Sequence, residues 1–140
     1  MVGGIGSSLD PLFAELGRLQ RAWPGGGWSW DSRLGCIASS FNIEDQREAR
    51  GAVGLALPSE WNKLTLSAAP SLVRELVENA GGLRSDQLVF GTGPVVGVLA
   101  YGLWWPWNDE ITISLRVGLV GRTTERDQER FRELFGASIG

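Results

Sequence analysis

The chain has 140 residues, 43% of them hydrophobic and 21% charged, with a formal net charge of −3. That length suits one ordinary domain, able to bury roughly 70% of the surface its unfolded chain exposes, and the composition argues against wholesale disorder. The acidic balance argues against nucleic-acid binding, which usually shows a basic face or stripe. The lack of any histidine removes the usual general base near neutral pH, the commonest metal ligand and the physiological pH switch.

Among the basic residues Lys63 is the only lysine and all others are arginine. We read this arginine excess as a consequence of GC-rich coding rather than as a bidentate recognition surface. Cys36 is alone, so no intramolecular disulfide and no cysteine metal cluster can form within the chain. The start, MVGGIGSSLDPLF, shows neither a basic n-region nor a long apolar run, so no secretory signal is expected and a cytoplasmic setting is the default.

In chain order, Leu9, Leu12, Phe13, Leu16 and Leu19 recur at helical spacing. With Ser8 as candidate N-cap and Pro11 in the first turn, they predict a helix to about Arg21, stopped by Pro24-Gly25-Gly26-Gly27. From Trp28 to Phe41 the period changes to that of a strand. Trp28, Trp30, Leu34, Cys36 and Ala38 then share one face, and Ser29, Asp31, Arg33 and Ser39 the other. Cys36 reads as a small core hydrophobe rather than a reactive thiol, having no histidine to activate it.

Ile43–Arg50 is densely charged and reads as a solvated helical turn or loop. Ala52–Leu57 (AVGLAL) reads as a short strand stopped by Pro58, and Ser59–Ser67, with Trp61, is left unassigned. Pro70 suits the first position of a helix carrying Leu72, Val73, Leu76 and Val77, ended by Gly81-Gly82. Three strands are predicted next: Gln87–Phe90, Pro94–Leu103 and Glu110–Val120. The middle one is apolar on both faces and should be central, or covered on its second side. In the last, Ile111, Ile113, Leu115, Val117 and Leu119 form a core face, and Glu110, Thr112, Ser114 and Arg116 a wet one. Thr124–Phe135 closes the chain as a helix with Thr124 and Asp127 at capping-box spacing.

The expected fold is therefore a single α+β domain over residues 1–140, in the order α-β-β-α-β-β-β-α. It has a mainly antiparallel sheet of about four to five strands, covered on one face by about three helices. The element order is similar to that of type III secretion chaperones, which are small, acidic and dimeric. No residue motif accompanies this topological likeness, and no family is assigned on it.

Two segments imitate motifs. Gly91-Thr92-Gly93-Pro94-Val95-Val96-Gly97 follows a strand as a dinucleotide fingerprint would, but it leads into Pro94 and a valine run. A helix N-terminus, whose free N–H groups would hold a pyrophosphate, is not expected there. The 22 residues Gln87–Asn108 carry no charge and end in Trp104-Trp105-Pro106-Trp107. They have the length of a membrane span, but Gly91, Gly93, Pro94, Gly97 and Gly102 and the β-branched valines favour two adjoining strands. No transmembrane span is expected. Carboxylates adjoin at Glu44-Asp45 and Asp109-Glu110, yet neighbours on a strand point to opposite faces, so neither forms an acid–base pair. Lys63 lies in no Ser–Lys motif.

These readings point to a non-catalytic protein-interaction domain of adaptor, small chaperone-like or immunity type. Its partner would be another protein or a second copy of the chain, and neither cofactor nor metal is called for. The alternative is a small-molecule or glycan binder that uses the tryptophans as stacking platforms. In either case the candidate binding residues are Trp104, Trp105, Trp107, Asn108, Asp109 and Arg116. With strands flanking it, Trp104–Asp109 becomes a hairpin loop, and tryptophan is enriched in interface hot spots. The competing possibility is that the rings fold back to cover the sheet with Trp23, Trp28, Trp30 and Trp61. Peripheral membrane contact through the tip is less attractive, because no lysine or arginine lies nearby.

Overall fold

A computed structural model describes residues 9–137. The first helical stripe forms α1, Asp10–Ala22, and buries Leu12, Phe13, Leu16 and Leu19. Pro11 sits in the first turn, where its missing N–H costs nothing. Ser8, the candidate N-cap, lies outside the described residues; Leu9 takes the N-cap position without a side-chain cap bond.

The Trp28–Phe41 stretch is a hairpin rather than one strand. β1 (Ser29–Asp31) and β2 (Cys36–Asn42) pair antiparallel, with Trp30 opposite Ile37 and Asp31 opposite Cys36. Asp31 makes the turn: its Oδ1 accepts from the N–H groups of Arg33 and Leu34, and its carbonyl from Gly35, which adopts φ +66°. An Asx turn of this kind reverses the chain in few residues. The reversal puts Trp30 and Cys36 on opposite faces of the sheet, which corrects the shared face expected from the sequence.

A 3-10 turn, Ile43–Asp45, is capped by the Asn42 side chain accepting from the Glu44 N–H. It leads into α2, Gln46–Ala56, where the sequence suggested a helical turn or loop and then a strand. The reason is packing. Ala49, Ala52, Val53 and Ala56 recur at i, i+3, i+4 and i+7 and are all buried, giving a small-residue stripe that lies against α1. Next come β3 (Ser59–Trp61), a second 3-10 turn (Leu66–Ala68) and α3 (Ser71–Asn79). Pro70 is the N-cap of α3, one position before the first helical residue, and Gly81 and Gly82 end the helix by donating to Glu78 and Val77.

The uncharged window resolves into β4 (Leu88–Gly91) and β5 (Val98–Pro106), followed by β6 (Thr112–Gly121). No helix among the described residues is long and apolar enough to cross a membrane. The final helix α4, Glu125–Phe135, has the expected box: Asp127 N–H donates to Thr124 Oγ1, and Thr124 N–H to Asp127 Oδ2.

All six strands join one antiparallel sheet in the order β1-β2-β6-β5-β4-β3. The α+β class is as expected, with one more helix and a slightly larger sheet. The cover differs from the expectation. α1, α2 and α4 pack on one face around Ile37, Phe41, Trp104, Leu115 and Val117. α3 packs on the other, its Val73 and Val77 meeting Val89, Leu99, Tyr101 and Leu103. The sheet is covered on both faces because β5 is apolar on both.

Before β5, Val95 and Val98 exchange both backbone hydrogen bonds across a two-residue turn, Val96-Gly97, with φ +50° and +78°. A β-branched side chain in the left-handed region is strained, and Val96 is exposed, so no packing compensates it. Two-residue turns of this hand favour Asn-Gly. Val96→Asn should therefore raise stability by about 1 kcal/mol, read as a higher urea midpoint with unchanged slope.

Candidate functional site

Strand periodicity divides the tryptophan cluster. β5 continues to Pro106, which pairs with Ile113, so Trp104 and Trp105 lie within the strand and only Trp107–Ile111 forms the loop. Trp104 shares a face with Val98 and Ala100 and is 3% exposed. Its ring lies 5.1 Å from Phe41 and 5.9 Å from Phe90, edge-on in both cases. Phe41 continues this aromatic chain to Trp23, and Trp23 to Trp28. Trp104 is thus part of the core.

Trp105 points to the α3 side and is half-buried. The Arg116 guanidinium stands over its ring at 5.2 Å, an attractive cation–π arrangement that occupies that ring face. Arg116 is in turn paired with Asp31, Nη1 to Oδ2 at 2.5 Å. Burial raises the Asp31 pKa, but the hydrogen bonds from Arg116, Leu34 and Arg33 outweigh it and hold the carboxyl below its ordinary value. Arg116 therefore joins β6 to the β1–β2 hairpin and does not stand beside the loop residues.

Trp107, Asn108 and Asp109 do come together, at the tip of the β5–β6 hairpin, and all are exposed. The tip is rigidly tied. Asp109 Oδ1 accepts from the N–H groups of Ile111 and Thr112, and Oδ2 from the Thr112 hydroxyl at 2.7 Å. Trp107 N–H donates to the Thr112 carbonyl, and Glu110 takes the left-handed conformation at φ +63°. The Thr112 hydroxyl, followed by the Ile111 N–H, holds the Asp109 carboxyl below its ordinary 3.8.

Two residues that sequence reasoning did not assign to this surface complete it. Ile111, expected on the core face of β6, lies beyond the strand and is 55% exposed. Its carbonyl accepts from the Ile43 N–H at 2.8 Å, which seats the exposed Ile43 beside it. With Trp107 at 52% exposed, three large apolar residues stand in solvent at one end of the sheet. The signal was present in the sequence: Ile43 follows a strand and heads a charged run, where burial was never assured.

A concave site lies elsewhere, on the α3 face. A cleft of about 260 Å³ is lined by residues that include Arg33, Leu34, Leu76, Asn79, Tyr101 and Leu103. None of Trp104, Trp105 or Trp107 lines it. No motif marked these positions, because they are brought together by the β1–β2 turn, the end of α3 and the centre of β5.

Compared with known protein families, with curated proteins and with solved structures, the chain matches none.

The divided cluster makes a direct prediction. Trp104→Ala should destabilise the protein by about 3–5 kcal/mol, whereas Trp107→Ala should stay within about 0.5 kcal/mol of wild type, both by urea denaturation. The tip should also be acid-sensitive. Because the folded-state pKa of Asp109 is depressed, its carboxylate supports the loop fully above the unfolded value of 3.8 and is lost as pH falls through the lower folded one. The amide resonances of Ile111 and Thr112 should therefore titrate together, with a midpoint below 3.8.

Proposed function

We propose that the chain is a non-catalytic protein-interaction domain whose contact surface is the apolar tip formed by Trp107, Ile111 and Ile43. The observation that carries this reading is the rigid presentation of exposed apolar side chains. Trp107 and Ile111 flank a loop held by the three bonds to Asp109, and Ile43 is bonded to the same loop. An exposed apolar cluster is ordinarily unfavourable, and a preordered loop loses little conformational entropy on association. Trp107 would be the anchor, with Asn108 and Asp109 forming a polar rim around it. The partner is another protein or a second copy of this chain.

Trp104 and Trp105 have no direct part in this surface, since one is core and the other is faced by Arg116. The same facts weigh against a glycan platform built from all three rings, because stacking needs open ring faces.

The test is site-specific photo-crosslinking in the cells that make the protein, with a benzophenone amino acid in place of Trp107 or Ile111. Position 78, exposed on α3, serves as the control. The reading expects discrete adducts at the two tip positions and none at the control, and the adduct mass separates a second copy from a different protein. Equal labelling at all three positions, or none at the tip, would remove it.

A further inference from the structure

The α3-side cleft has the features of a ligand site that owe nothing to the tryptophan tip. Its floor is Tyr101 and Leu103 of β5, its walls Leu34 after β1 and Leu76 of α3, with Arg33 and Asn79 among its polar lining. Tyr101 is only 6% exposed. Its hydroxyl lies against Gly118, where any side chain would collide with it, and Tyr101 lines the open volume of the cleft.

The polar groups also define which ligand fits. Asp31 is the single carboxylate facing two arginines, and it is committed to Arg116 at 2.5 Å while Arg33 is 3.9 Å away. The triad therefore keeps one positive charge, on the exposed Arg33, in a chain whose net charge is −3. The terminal carbonyls of α3 at Leu76, Val77 and Glu78 accept from the N–H groups of Ala80, Gly82 and Gly81. Glu75 and Glu78 of the same helix are exposed and do not line the cleft. Burial pushes the Tyr101 phenol well above its ordinary pKa and raises the Cys36 thiol, so both stay neutral and Tyr101 remains a donor.

We propose that this cleft binds a small organic monocarboxylate, whose carboxylate meets the Tyr101 hydroxyl and the Arg33 guanidinium while its apolar body lies on Leu34, Leu76 and Leu103. The volume of about 260 Å³ is below the usual range for drug-sized ligands and suits an acid of the bulk of benzoate or hexanoate.

The experiment is an amide NMR titration of the full chain with benzoate and with hexanoate, set against benzamide and hexanol as neutral counterparts. The proposal expects saturable shifts centred on Leu34, Ala80 and Tyr101 for at least one acid, and binding of its neutral counterpart at least about tenfold weaker. Arg33→Gln, an exposed change that leaves the core intact, should weaken that acid about tenfold, and Tyr101→Phe about three- to tenfold. Lys63→Gln, also exposed but outside the cleft, should change nothing. The proposal fails if neither acid saturates, if the neutral compounds bind as well, if the shifts centre elsewhere, or if Arg33→Gln binds like wild type.

Discussion

Burial of β5 on both faces is the constraint from which the rest of the layout follows. Val98, Ala100 and Trp104 point to the three-helix side, and Leu99, Tyr101 and Leu103 to the α3 side. A strand with apolar side chains on both faces cannot lie on a surface, so it must be flanked by other strands and covered above and below. β4 and β6 supply the flanks. Between the large residues, Gly102 lets Leu57 and Leu115 come close, and a methyl group there would stand 3.0 Å from the Leu57 side chain. Trp104 then fills the space between Phe41 and Phe90. One strand thereby organises the core on the α1–α2–α4 side and the floor of the cleft on the other.

The polar counterpart of that core is the Arg116–Asp31 pair. Both side chains are 20% exposed, and Arg116 Nε is buried without a partner. Such a pair contributes little net stability through Coulomb attraction alone, because desolvation opposes it, yet removing one partner leaves an uncompensated charge. Its value is positional. Asp31 forms the β1–β2 turn with the same carboxylate that binds Arg116, so the turn is tied to the centre of the sheet. Through that turn, Arg33 and Leu34 are carried to the edge of the cleft.

The two candidate surfaces thus rest on different physics. The tip loop depends on local bonds, most of them made by Asp109, and a single backbone bond from Ile43 to Ile111 joins the third apolar residue to it. The cleft depends on tertiary placement, since α3, the β1–β2 turn and β5 each contribute part of its lining. A surface of the first kind tolerates change in the core, whereas one of the second kind shifts whenever sheet and helix move relative to each other.

What the sequence by itself determined were helices with a single buried face, α1, α3 and α4, together with the core face of β6 and the central place of β5. For these, periodicity is a direct record of burial. The wet face expected for β6 is instead covered, with Ser114 buried and Arg116 only 20% exposed. Local pattern also kept Trp104, Trp105 and Trp107 together in one hairpin loop, whereas the strand runs on to Pro106 and turns Trp104 and Trp105 to opposite faces. Tertiary structure alone decided the rest. Ala52–Ala56 became helical because α1 offers a surface that small residues approach closely; within AVGLAL alone a short apolar strand fits as well, and the helical spacing shows only when Ala49 is included. Trp104 became core and Trp107 remained in solvent because of where the helices lie and where the strand pairing stops. Arg33, Asn79 and Tyr101, far apart in the chain, met only through the sheet and α3. Local pattern specifies which side chains share a face, but what covers that face is supplied by distant elements.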